Sequence, residues 1–180
     1  MFAQEQVTSY QNSYWNRAFS ISANLKSGKI DKIFIEVMPD KAKIASIVIA
    51  GDDLYTFKSA LTQTKEKYLE WKKIAIENKV TDMTKEFGIV FPLVTYGWFS
   101  SKWWFAFYNK LNMKFKILEN GNMIATASPK ISASSNKYID EQIYFVFGDA
   151  QDFDNLINAL NKEQIINTLT EKQSQEDLFK

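Results

Sequence analysis

Aromatic side chains crowd one stretch of the chain: Tyr96, Trp98, Phe99, Trp103, Trp104, Phe105, Phe107 and Tyr108. An exposed aromatic ring offers a flat apolar face that stacks on a sugar ring or an unpaired base. A strand over residues 102–108 alternates sides. Trp103, Phe105 and Phe107 then share one face, and Trp104 and Tyr108, with Ala106 between them, share the other. If the first face enters the core, Trp104 and Tyr108, with nearby Trp98, form the candidate ligand-binding surface. The competing reading is that other elements cover both faces. A polar connection follows at Ser132-Ala133-Ser134-Ser135-Asn136-Lys137-Tyr138. Its hydroxyl, amide and ammonium groups can hydrogen-bond a sugar or a peptide, which adds Ser134, Asn136 and Lys137 to the candidates. The plain alternative for this stretch is a solvated connector.

The remaining reactive groups point away from catalysis. Asp149, Asp152 and Asp154, and separately Asp52 and Asp53, could in principle hold Ca²⁺ or pair for glycoside hydrolysis. The calcium-loop spacing is absent, and helix capping accounts for most of these carboxylates. Ser100-Ser101-Lys102 matches no nucleophile arrangement, and no Gly-x-Ser-x-Gly occurs. The six glycines are scattered, so no phosphate loop or dinucleotide fingerprint can be built. The sequence contains neither histidine nor cysteine. That removes the imidazole base, thiol chemistry and the usual zinc, copper and haem ligands. No catalytic residue, metal ligand or cofactor is assigned.

Bulk electrostatics select no partner, because the formal net charge is +1. Arg17 is the only arginine, whereas bidentate recognition of phosphate or guanine favours the guanidinium fork. The 180-residue length suits one domain, and no apolar run is long enough to cross a membrane as a helix. Met1-Phe2-Ala3-Gln4-Glu5 reads like the end of a secretory signal peptide, with the cut after Ala3, so export is expected. An ordinary N-terminus in a cytoplasmic protein is the alternative.

Those candidate groups need elements to position them. Residues 18–50 read as a three-stranded meander, with turns at Lys26-Ser27-Gly28-Lys29 and Met38-Pro39-Asp40-Lys41. Gly51-Asp52-Asp53 breaks the third strand and starts a long helix over 53–78, whose apolar stripe holds Leu54, Phe57, Leu61, Tyr68, Trp71 and Ala75. Thr81-Asp82 suggests one short helical turn through Phe87. Further strands are expected at 102–108, 113–118, 123–128 and 143–147, with Asn120-Gly121 as the hairpin turn between the second and third of these. Asp152 then caps a helix over 152–160, and another helix covers 162–171. Strand, Gly-Asp and helix recur at 47–61 and 144–160, which suggests a pseudo-repeat.

Together these readings predict one α+β domain, 1–172, with a polar tail at 173–180. Its twisted, mainly antiparallel sheet should hold about six to eight strands, with both main helices packed on one face.

Phe57…Ala60-Leu61…Tyr68…Trp71, Glu77-Asn78-Lys79-Val80-Thr81-Asp82, Phe91-Pro92, Ser101-Lys102-Trp103 and Ser134-Ser135-Asn136-Lys137-Tyr138 resemble small secreted proteins of gut Bacteroidetes over about residues 50–160. That resemblance implies export and no known activity. The two meander-plus-helix halves are also similar in architecture to whirly and related two-repeat folds, which bind single-stranded nucleic acid on a curved sheet. The expected function is an exported, non-catalytic binding or accessory domain that contacts a glycan or peptide through exposed aromatics. The alternative is a single-stranded nucleic-acid-binding protein, and a hydrolase with a Ser/Lys or carboxylate site ranks third.

Overall fold

The computed structural model describes residues 5–179. The expected cleavage site at Ala3 lies outside the described residues.

The chain begins with a meander of β1 (Glu5–Asn12), β2 (Arg17–Lys26), β3 (Lys29–Pro39) and β4 (Ile44–Ala50). Ser27 and Gly28 both take positive φ, the geometry a two-residue hairpin turn requires, so Lys26 and Lys29 pair across the expected turn. A single 3-10 turn, Gly51–Asp53, leads into α1 (Leu54–Glu77). Then come β5 (Met83–Glu86), β6 (Val94–Phe99), β7 (Trp103–Asn109), β8 (Lys114–Ile117), β9 (Met123–Ala127), β10 (Lys130–Ala133) and β11 (Asn136–Phe147). The helices α2 (Ala150–Ala159) and α3 (Lys162–Asp177) end the chain, and α3 runs on through the stretch expected to be a polar tail.

All strand pairs among the described residues are antiparallel. Their order is β5-β8-β9-β11-β3-β4-β6-β7, with β1 beyond β2 on β3 and β10 on β11. The described residues thus form eleven strands, eight of them on the main path, against an expected six to eight. The unforeseen ones are short, two-sided in burial or solvated. β5 is wholly exposed and replaces the expected helical turn before Phe87. In β6, Val94, Tyr96, Gly97 and Trp98 are all buried, so no alternation marks it. The expected connector at 132–138 lies within a β-hairpin, with β10 and the first half of β11 joined by Ser134-Ser135.

One face of the sheet forms the core. Ile21, Ile35, Ile47, Tyr96 and Ala106 lie in register across β2, β3, β4, β6 and β7, each at most 3% exposed. Phe115, Ala125 and Phe147 continue that row on β8, β9 and β11. Apolar faces on α1 and α2 close over it. Tyr68 of α1 packs between Phe115 and Phe153, and Phe153 of α2 stacks on Phe147 with centroids 4.0 Å apart. Ile165 and Leu169 anchor α3 to the same core.

Two buried carboxylates tie distant segments together. Glu141 of β11 accepts from the backbone N–H groups of Asp40, Lys41 and Ala42 at 2.8–3.0 Å, which fixes the β3–β4 turn. Asp152 accepts from Ser13 N, Ser13 Oγ and Gly148 N at 2.7–2.8 Å, which joins the β1–β2 turn to the start of α2. The expected N-cap role of Asp152 belongs instead to Asp149, whose carboxylate accepts from Asp152 N.

The strand, Gly-Asp, helix junction does occur twice, although the two copies are built differently. Asp53 makes no side-chain cap bond, unlike Asp149. Gly51 is required for another reason: a Cβ there would lie 1.9 Å from the Ile30 carbonyl oxygen, so only glycine lets the two backbones meet. The sheet neighbours also differ. β4 lies between β3 and β6, while β11 divides its length among β10, β9 and β3.

Candidate ligand-binding site

The face of β7 turned away from the core is an aromatic row. Phe99, Trp103, Phe105 and Phe107 follow one another with centroids 5.6, 6.0 and 6.0 Å apart; Phe99 is tilted by 55° to Trp103, and from Trp103 to Phe105 to Phe107 each ring lies within 16° of parallel to the one before. Tyr108 extends the row, its centroid 6.4 Å from that of Phe107. Trp103 is 37% exposed, Phe105 is half-buried between its neighbours, and exposure then rises to 53% at Phe107 and 83% at Tyr108.

Local sequence explains the row. Alternation puts residues 103, 105 and 107 on one side of β7. Gly97 faces Phe105 from β6, and a Cβ at that position would stand only 3.0 Å from the Phe105 ring edge. Without that Cβ, the ring can lie close against the backbone of the neighbouring strand. Tyr108 leaves the alternation because its φ of 57° is left-handed, which turns it out of the inner row where Trp104 and Ala106 point.

Beside the row runs an open groove of about 730 Å³, a size typical of ligand sites. Phe34 of β3, Val48 of β4 and Thr95 of β6 line it, with Phe105, Phe107 and Tyr108 on the β7 side. Its charged groups are Lys32 and Asp53, one of each sign, and neither side chain is paired with another group among the described residues. The groove is thus apolar, aromatic and formally neutral.

The expected site residues fare unequally. Tyr108 is exposed and borders the groove. Trp98 is 1% exposed and belongs to the core, so it is withdrawn as a contact. Trp104 is half-buried against that core, with the Lys102 ammonium 4.3 Å from its ring centre. The two faces of β7 are therefore the reverse of the expectation. The neighbours decide this: Trp98 pairs with both Ala45 and Trp104, and Tyr96 with both Ile47 and Ala106, so the inner row of β7 joins a row already buried.

Ser134 serves structure. Its N–H donates to Phe105 O at 2.8 Å and its Oγ accepts from Phe107 N at 3.0 Å, so the β10–β11 turn caps the outer edge of β7. Asn136 Oδ1 accepts from Tyr138 N within its own turn, and the Lys137 ammonium lies 5.2 Å from the Tyr138 ring centre. All three are exposed, and none lines the groove. Phe34, Val48, Lys32 and Asp53 were not anticipated. One signal for them was available: Phe34 is a bulky apolar residue on the outward side of a strand whose Ile33 and Ile35 point inward.

The carboxylates do not converge on the groove. Asp152 and Glu141 are engaged as anchors, and Asp154 pairs with Lys65 at 2.6 Å. No group of three or more metal-ligating side chains occurs among the described residues. Burial pushes the phenols of Tyr10 and Tyr96 far above the ordinary range and that of Tyr68 up to about 12, with nearby carboxylates adding to the effect at Tyr10 and Tyr68. Tyr10 and Tyr68 hydroxyls donate to backbone carbonyls of Glu36 and Met123, a structural use. No helix of the described residues is long and apolar enough to cross a membrane. No family model, curated protein or solved structure matches this chain.

Proposed function

We propose that this chain is a non-catalytic binding or accessory domain that holds a glycan against the outer face of β7, and that it works after export. The observation that carries this reading is the row Trp103, Phe105 and Phe107: near-parallel, partly exposed rings at 6.0 Å spacing beside a groove of one positive and one negative side chain. A regular row of partly exposed apolar rings suits contact with the C–H groups of successive sugar rings. Lys32 and Asp53 supply a donor and an acceptor for hydroxyl groups at the rim.

Two rival ligands fit less well. A peptide adding as a strand needs the free edge of β7, and Ser134 already occupies the Phe105 carbonyl and the Phe107 N–H. Single-stranded nucleic acid would also stack on the rings, but its phosphates call for a positive groove, and this one sums to zero.

The test is a glycan array probed with the full chain, followed by calorimetric titration of the best neutral oligosaccharide at low and high salt. Binding should be almost independent of salt and should fall at least about fivefold in Phe107→Ala, as removal of a stacking platform worth ~1–3 kcal/mol requires. Binding confined to single-stranded oligonucleotides and falling steeply with salt would move the chain to the nucleic-acid reading. Retention of full glycan affinity in Phe107→Ala would remove the aromatic row from the account.

A further inference from the structure

We propose that a second pocket, between β8 and β6, binds a tetrahedral oxyanion, the phosphate or sulfate group of a ligand. It is lined by Lys110, Lys114 and Lys116 with a single carboxylate, Glu86, and its volume is about 360 Å³. Lys114 and Lys116 are two residues apart on β8 and so project to the same side, opposite the buried Phe115 and Ile117. Glu86 reaches Lys114 at 3.5 Å, which leaves Lys110 and Lys116 without an ion-pair partner among the described residues. The balance inside the pocket is two uncompensated positive charges in a molecule of net charge +1, so the imbalance is local.

An independent observation comes from the same wall. Tyr96 lines the pocket, is 99% buried, and carries the one buried side-chain polar atom without a hydrogen-bond partner among the described residues, its hydroxyl. An unpaired buried hydroxyl is costly, and folds do not ordinarily leave one. Tyr10 and Tyr68, equally buried, both donate to backbone carbonyls. Burial also keeps the Tyr96 phenol protonated far into the alkaline range, so it remains a donor. Thr126, whose hydroxyl already pairs with that of Ser128 at 2.9 Å, adds a hydroxyl to the same wall. Lysine ammoniums line a confined space, and Tyr96, whose buried hydroxyl has no partner, borders it, so charge and a spare donor lie close together, the combination an oxyanion needs. Single lysines bind phosphate as point charges and require no arginine fork.

The probes are inorganic phosphate and inorganic sulfate, titrated into the full chain by calorimetry at low ionic strength, where surface charge is least screened. Saturable binding of either anion is expected. The double variant Lys110→Gln/Lys116→Gln should weaken it more than about tenfold, and Tyr96→Phe about fivefold, as loss of charge-assisted hydrogen bonds implies. In the absence of anion, Tyr96→Phe should unfold no earlier than the parent, because its hydroxyl has no partner to lose. Phe107→Ala should leave anion binding unchanged, which separates this pocket from the aromatic groove. The proposal is overturned by the absence of saturable binding of both anions, by binding indifferent to the double lysine variant, or by an affinity untouched in Tyr96→Phe. Lys110 and Lys116 are both exposed, so their variants decide the matter even if Tyr96→Phe folds poorly.

Discussion

The two faces of β7 contain similar residues and meet opposite fates. On one, Trp104 and Ala106 join Trp98 and Tyr96 in a packed interior. On the other, Trp103, Phe105 and Phe107 form a row that no helix covers, beside an open groove. Composition does not distinguish them, since both are rich in aromatic rings. The distinction is made next door. On β4, Ala45, Ile47 and Ile49 point inward, whereas Ser46 and Val48, also buried by their neighbours, take the outward side, so the strands paired with it inherit that orientation. A helix covers only one face of the sheet, and the other keeps its aromatics in reach of solvent. Aromatic rings in the core stabilise the fold, while rings left outside it contribute little there and are available for contact.

Paired truncations separate the two roles most sharply. Trp98→Ala should lower stability by about 3–5 kcal/mol, the usual cost of emptying a fully buried large aromatic site. Phe107→Ala, half-exposed, should cost less than about 1 kcal/mol. Urea unfolding of the two variants is the measurement. Equal losses would mean that the outer row is as structural as the inner one, and the comparison between the faces would collapse.

That polarity was only partly legible beforehand. Alternation along 103–107 correctly divides the side chains into two sets, though Tyr108 departs from it, and the turns at Ser27-Gly28 and Asn120-Gly121 fall where their residues demand. Periodicity assigns residues to the same or opposite faces and cannot say which face is inside. That choice rests on β4 and β6, distant in sequence from β7 on one side and unmarked by alternation on the other. Trp98 was misplaced for this reason. The groove itself draws on β3, β4, β6 and β7, and no local window contains it. Charge gave no hint of the lysine pocket either. Nothing local marks Lys110, Lys114 and Lys116 as a pocket, because Tyr96, which lines it with them, comes from another part of the sheet.

A smaller perturbation tests the outer face from below. Gly97→Ala introduces a methyl 3.0 Å from the Phe105 ring, which must tilt by a few tenths of an ångström. The stability loss should be about 1 kcal/mol, at the low end for overpacking, because that ring is not enclosed. Phe105 is flanked at 6.0 Å by both Trp103 and Phe107, so its tilt disturbs the planarity of the whole row. Glycan affinity should therefore fall by more than the stability change suggests. If affinity survives while the fold is weakened, ring alignment is not what the ligand reads.

The smallest effect on stability is expected at Tyr108, and its sign is the informative part. A tyrosine with φ of 57° lies in the left-handed region, which costs roughly 1–2 kcal/mol for a residue bearing a Cβ. It is 83% exposed, so it recovers little of that by burial. Tyr108→Gly removes the strain but adds about 0.5–1 kcal/mol of chain entropy to the unfolded state. The variant should therefore be more stable than the parent by up to about 1 kcal/mol, read as a raised unfolding midpoint. Glycan binding should nonetheless weaken, because the ring that extends the row beyond Phe107 is lost. Gain of stability with loss of binding would identify the strained tyrosine as retained for contact, as strained positions at binding sites commonly are. Gain of stability with unchanged binding would confine the working surface to Trp103, Phe105 and Phe107, and would leave the left-handed tyrosine without a role in it.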